Sequence, residues 1–180
     1  MTEAATIGMG GALRTGTSVE WWTPPEIFQA LGLWFDLDPC APPNPDAAWL
    51  PVCDRYSLPC DGLAEPWEGR VWLNPPYGAE ARKWVERLVE HGDGIALVFT
   101  RTDARWAQAA MQAADAVCFI AGRVSFVEGA PRPDRKGHNP ANGSMLLAYG
   151  ADCADALAKS GLGACFAQPI SDYKSGEADA

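Results

Sequence analysis

Long apolar runs are missing from this chain: no stretch approaches the roughly 18 residues that a membrane-spanning helix needs. The opening segment, MTEAATIGMGGALRTG, has neither the basic start nor the apolar stretch of a secretory leader, so a cytoplasmic protein is expected. Histidine is scarce, with His91 and His138 alone. The six cysteines (Cys40, Cys53, Cys60, Cys118, Cys153 and Cys165) are scattered and form no CxxC pair. Metal sites need clustered ligands, so no metal is expected, and the thiols read as buried and reduced. Basic charge is also short: 14 Lys and Arg stand against 23 Asp and Glu, a formal net charge of -9. That balance argues against a protein that holds nucleic acid mainly by neutralising phosphates. A local basic face remains open, because Arg101, Arg105, Arg123, Arg132, Arg135 and Lys136 all fall in the second half.

What is present describes one domain. A chain of 180 residues can bury a substantial core. Residues 1–18 are glycine-rich and read as a disordered arm, and the acidic end 171–180 reads as a disordered tail. The ordered domain is expected over 19–170. The GMGG stretch follows no predicted strand, so it is not read as a phosphate loop.

The spacing predicts a helix opening at Thr23-Pro24-Pro25-Glu26, with Thr23 as cap, Pro24 at the first helical position and Glu26 closing a capping box. Ile27, Phe28 and Leu31 share its inner face, and Gly32 stops it. A strand over 33–37 runs into Asp38-Pro39-Cys40-Ala41. Residues 42–60 carry Pro42, Pro43, Pro45, Pro51 and Pro59 and read as a long irregular connection with a short strand near Tyr56. A second strand, 70–73, runs straight into Asn74-Pro75-Pro76-Tyr77. Helices follow over 79–91, 103–114 and near 152–159. Strands follow at 94–99, 116–120, 144–149 and near 164–168. Strands alternating with helices, several of them apolar throughout, predict an α/β fold with a mostly parallel central sheet flanked by helices.

In an open α/β sheet, ligands bind beyond the carboxyl ends of the strands. The Asp38 turn and the Asn74 turn both fall at such ends, and the second carries more chemistry. A conjugated exocyclic amine such as that of adenine is a poor nucleophile, because its lone pair is delocalised into the ring. Direct attack on a methyl donor requires that nitrogen to become more tetrahedral. Acceptors set against its two hydrogens favour that change and align the attack. Asn74 offers its side-chain carbonyl and Pro75 its main-chain carbonyl. Pro75 and Pro76 fix φ and remove competing N–H donors. Tyr77 offers an aromatic face for a base swung out of its stack. The competing interpretation is a proline-rich turn with Asn as turn former and Tyr as packing.

On these residues the chain resembles the phage-type DNA N6-adenine methyltransferases, a compact group of S-adenosylmethionine-dependent enzymes. The similar blocks are Glu20-Trp21-Trp22-Thr23-Pro24, Asp38-Pro39-Cys40-Ala41, Asp61-Gly62-Leu63 with Trp67, Asn74-Pro75-Pro76-Tyr77 and Gly122-Arg123-Val124-Ser125-Phe126, in that order. The resemblance implies a reduced Rossmann-like methyltransferase domain with S-adenosyl-L-methionine as cofactor and DNA as partner. It implies that Thr23 and Pro24 cover the cofactor's methionine, and that Asp38, Pro39, Cys40 and Ala41 form the first cofactor motif. Asp61, Gly62 and Leu63 would hold the cofactor's adenine. Asn74, Pro75, Pro76 and Tyr77 would be catalytic. Phe126 would offer a second aromatic surface to the flipped base and Arg123 would meet phosphate. Arg132, Arg135 and Lys136, close by in sequence, complete the expected DNA contacts. Two departures stand out: Ala41-Pro42-Pro43 lies where such enzymes carry glycines, and only Asp54 offers an acid for the cofactor ribose.

The motif alone leaves other acceptors open: cytosine N4, RNA adenine or a protein glutamine amide, all planar conjugated amines. A catalytically silent nucleotide- or DNA-binding module of the same fold is the alternative of another class. Such a module would be expected to lose Asn74 or Tyr77, and both are present.

Overall fold

Strands that are apolar on both faces must be covered on both faces, and this chain has enough such strands to dictate a sheet between two helical layers. A computed structural model describes residues 21–42, 49–128 and 142–167. The expected disordered ends, 1–18 and 171–180, lie outside the described residues, as do Arg132, Arg135 and Lys136.

In chain order the elements are β1 (Trp21–Trp22), α1 (Pro25–Leu31), β2 (Phe35–Asp38), β3 (Val52–Arg55), β4 (Val71–Leu73) and α2 (Ala81–His91). Then come β5 (Gly94–Phe99), α3 (Arg105–Ala113), β6 (Ala116–Ile120), β7 (Val127–Glu128), β8 (Ser144–Tyr149), α4 (Ala151–Lys159) and β9 (Gly163–Ala167). Seven strands form one sheet in the order β3-β2-β4-β5-β8-β6-β9, while β1 and β7 pair as a small antiparallel ribbon.

The period-2 geometry of a strand sorts its side chains between the two faces. Ile95 and Leu97 of β5 and Leu146 and Ala148 of β8 face the layer formed by α1 and α4, with Phe28, Leu31 and Leu157. Ala96, Val98, Met145 and Leu147 face the layer formed by α2 and α3, with Trp84, Val85, Leu88 and Ala110. Phe28, Phe35 and Trp72 pack edge to face on the first side, with Trp72 4.6 Å from Phe28 and 5.3 Å from Phe35. Gly32 and Gly92 end their helices in the left-handed conformation (φ 63° and 79°), each returning an N–H to the preceding turn.

Two expectations are corrected. The sheet is mixed rather than mostly parallel: β3, β2, β4 and β5 pair in parallel, but β8 is antiparallel to both β5 and β6, and β9 is antiparallel to β6. The reversal falls between β6 and β8. β8 lies beside β6 and runs antiparallel to it, a pairing that needs no crossover helix. The second correction is at α1, where the cap is Pro24 in extended conformation with no side-chain cap bond. Thr23 is buried instead, and its hydroxyl makes no cap bond.

Candidate active site

β2 and β4 are parallel neighbours in register at Leu37 and Val71, so both end on the same edge of the sheet. From β2 the chain moves outward to β3, whereas β4 lies on the other side of β2 and leads on to β5. The crevice between β2 and β4 is therefore a topological switch point, where open α/β sheets admit ligands. A cavity of about 360 Å³ opens there. Asp38, Pro39, Cys40 and Ala41 line it from one side and Asn74, Pro75, Pro76 and Tyr77 from the other. Thr23, Asp61 and Gly62 also reach it. Pro24 does not line it and serves as the cap of α1; Leu63 faces a separate surface groove beside Trp67 and Arg87.

The Asp38 turn is built by its own side chain. Oδ1 of Asp38 accepts the Cys40 N–H at 3.1 Å, an Asx turn. Asp38 is only 3 % exposed, and burial pushes its carboxyl up to about 7, against the opposing pull of the Cys40 N–H and the charge of Arg55. β4 stops at Leu73 because Pro75 and Pro76 have no N–H to continue a ladder. The two turns touch directly: the Cys40 thiol donates to the main-chain carbonyl of Asn74, with S to O at 3.3 Å. Burial, then the neighbouring carboxyl of Asp38, hold that thiol well above its usual range, so it keeps its proton at neutral pH.

The Asp61 turn is brought in by a close approach that only glycine permits. A Cβ on Gly62 would sit 1.8 Å from the carbonyl oxygen of Pro39 and 3.2 Å from the Trp84 ring. Trp67 locks this contact by donating its indole N–H to the Gly62 carbonyl at 2.7 Å while stacking on Trp84. Asp61 stands exposed at the rim, with Oδ1 accepting the Leu63 N–H at 3.0 Å. Asp54, the candidate acid for a ribose, is exposed on β3 and does not line the cavity.

Tyr77 is held on three sides. Its hydroxyl donates to Oδ1 of Asn74 at 3.1 Å, its ring stacks on Phe99 at 3.9 Å and 10°, and Phe126 meets it edge-on at 5.9 Å. Tyr77 lines the cavity and Phe99 and Phe126 do not, so both phenylalanines back the tyrosine. Phe126 is 3 % exposed and offers no open face in this arrangement. Arg123 is exposed near Gly143, beside the end of β5 and the start of β8, on the same edge of the sheet as the ends of β2 and β4. Sequence reasoning missed Phe99; its one signal was an aromatic closing the strand next to the one that carries the motif.

Trp22 and Thr23 add two buried polar atoms beside the cavity. Trp22 and Thr23 line the cavity, and the indole N–H of the first and the hydroxyl of the second are buried with no hydrogen-bond partner among the described residues. An unsatisfied buried donor costs about 1–3 kcal/mol, so two on adjacent residues of one cavity wall point to a polar ligand. In the sequence Trp22 stood out only as part of the block Glu20-Trp21-Trp22-Thr23-Pro24. Among the described residues no cluster of His, Cys, Asp and Glu is arranged to hold a metal ion. Nor does any described helix have the length and apolarity to cross a membrane.

The cavity thus joins an acidic turn, a glycine-dependent turn and an Asn-Pro-Pro-Tyr turn at one switch point. No curated protein and no solved structure shows significant similarity to the chain. A family model does match, over residues 13–151, which takes in every cavity-lining residue and well over half of the sequence. The chain belongs to the DNA N-6-adenine-methyltransferase (Dam) family.

Proposed function

We propose that this protein transfers a methyl group from S-adenosyl-L-methionine to the N6 amine of adenine in DNA. The observation that carries the proposal is the contact of the two turns in one cavity, the acidic Asp38 turn on one wall and Asn74-Pro75-Pro76-Tyr77 on the other. The family's description supports methylation of adenine in DNA, and a methyltransferase of this kind implies S-adenosylmethionine as donor. We also propose that the mixed sheet is a reduced Rossmann-like methyltransferase architecture, on the strength of its parallel half and the position of the cavity at the strand ends.

The residues present fit the cofactor. It carries a carboxylate and ribose oxygens that can accept from the orphaned Trp22 N–H and Thr23 hydroxyl, and cationic groups that suit the buried carboxyl of Asp38. Asp61, through its second carboxylate oxygen, and the Gly62 turn are assigned to its adenine. When bound, S-adenosylmethionine supplies an electrophilic sulfonium methyl. The chain's own part is to hold the amine. Oδ1 of Asn74, which accepts the Tyr77 hydroxyl, is assigned one amine hydrogen as well. The Pro75 carbonyl takes the other hydrogen. Tyr77, backed by Phe99, keeps its ring against the base. Arg123, Arg132, Arg135 and Lys136 are assigned to the DNA backbone, so affinity for DNA should be modest and its salt dependence shallow.

Incubation with methyl-labelled cofactor and, in parallel, adenine-containing DNA, DNA lacking adenine, RNA and protein tests the proposal. Label on N6 of adenine in DNA alone is expected. Label on cytosine, RNA or a protein amide would replace the acceptor, and cofactor binding without transfer to any of them would leave a silent binding module.

A further inference from the structure

Within the Asn-Pro-Pro-Tyr turn, the two prolines restrict the chain but do not aim it. The peptide joining Asn74 to Pro75 has no N–H, so its carbonyl is its only hydrogen-bonding handle. The Cys40 thiol donates to that carbonyl, with S to O at 3.3 Å. Beyond this peptide little freedom remains. The pyrrolidine ring of Pro75 sets its φ, and Pro76 drives the ψ of Pro75 into the extended region. Once the plane of the 74–75 peptide is set, the direction of the Pro75 carbonyl follows from the two rings.

We infer that Cys40 is a positioning residue for methyl transfer: its thiol holds the main-chain carbonyl of Asn74 and thereby aims the Pro75 carbonyl at the acceptor amine. The inference rests on the function proposed above. Cys40 is itself fixed from the cofactor side. Its N–H is bonded to Asp38, and the next residue, Ala41, donates its N–H to the Tyr56 carbonyl at 2.9 Å. The thiol is therefore a link between the wall assigned to the donor and the wall assigned to the acceptor. It retains its proton at neutral pH, as a hydrogen-bond donor must and a nucleophile must not. The side chain of Asn74 is held separately, by the Tyr77 hydroxyl, so the two carbonyls of Asn74 have separate anchors.

The test compares the parent with Cys40→Ala and Cys40→Ser by three measurements: cofactor affinity by calorimetry, thermal stability, and the single-turnover rate with cofactor and DNA saturating. Cys40→Ala is expected to slow transfer on the order of tenfold while cofactor affinity stays within about threefold. Cys40→Ser, which keeps a donor at nearly the same place, should recover most of the rate. A Cys40→Ala rate equal to the parent's would overturn the inference, as would a Cys40→Ser variant as slow as Cys40→Ala. A rate deficit in Cys40→Ala explained wholly by weakened cofactor binding would also overturn it, because the residue would then be pocket wall alone. Rates are read on whichever amine the parent methylates. Preference for an amine other than adenine N6 sinks the adenine reading and leaves the comparison of variants valid. A parent that methylates no amine overturns both.

Discussion

The two halves of the sheet are built from similar strands and put to different ends. In the parallel half, β2 and β4 are short and break off into turns rich in proline and polar groups, where Asp38, Cys40 and Asn74 meet. In the antiparallel half, β8 is buried along its whole length, pairs with β5 through all six of its residues, and contributes nothing to the cavity. Long complete ladders pair their own main-chain groups and supply the core. Truncated ladders free carbonyls and carboxylates for chemistry, and they must then be held by other means. The parallel half does this with side-chain bonds and one glycine contact.

If the halves divide labour in this way, mutations should separate stability from chemistry. The largest loss of stability is expected in the antiparallel half. Leu146 is fully buried in the centre of β8, and Leu146→Ala should cost about 2–5 kcal/mol in chemical denaturation. The molecules that remain folded should keep the parent's transfer rate. A slow rate in folded Leu146→Ala would blur the comparison. Gly62→Ala should do the reverse in kind. The added methyl must displace the Pro39 backbone, so cofactor affinity is expected to fall on the order of tenfold or more, with a stability loss of about 1–3 kcal/mol. Parent-like affinity in calorimetry would detach the Asp61-Gly62 turn from the cofactor.

A smaller effect sharpens the same contrast through pH. The carboxyl of Asp38 is raised by burial from 3.8 to about 7, so between these values the folded protein binds more protons than the unfolded chain. Its contribution to stability is therefore fully present below about pH 4 and is lost as pH rises towards and through 7. Asp38→Asn, which keeps an acceptor for the Cys40 N–H, should be little different from the parent at pH 4.5 and more stable than it at pH 8 in thermal melts. A cationic ligand favours the ionised carboxylate, so the parent's cofactor affinity should rise with pH up to about 7 and that of Asp38→Asn should not. Equal pH profiles for the two proteins would place the cofactor's charge elsewhere.

What was legible in the sequence follows the same division. The apolar strands 94–99, 116–120 and 144–149 are found at the expected bounds, because continuous burial leaves no other reading for them. Gly32 and Gly92 end their helices as expected. The turns at Asp38 and Asn74 were legible because each follows a strand directly, and the structure brings them together. Less local facts were not legible. The order of the strands depends on where β8 inserts, which no local pattern encodes. Thr23 had the features of a cap, but Pro24 provides the cap and Thr23 lines the cavity. The contacts of Cys40 with Asn74, Gly62 with Pro39 and Tyr77 with Phe99 join residues 34, 23 and 22 positions apart. Spacing within a motif carries no trace of such pairs.

The most direct test of the central claim is the single-turnover transfer of labelled methyl to adenine-containing DNA by the parent and by Asn74→Ala, with cofactor affinity measured alongside. Asn74 contributes an acceptor that matters as the amine rehybridises, so its loss should appear in the rate rather than in binding. A fall on the order of a hundredfold at unchanged cofactor affinity is expected. Full activity in Asn74→Ala would contradict the assignment of this turn as the site of methyl transfer.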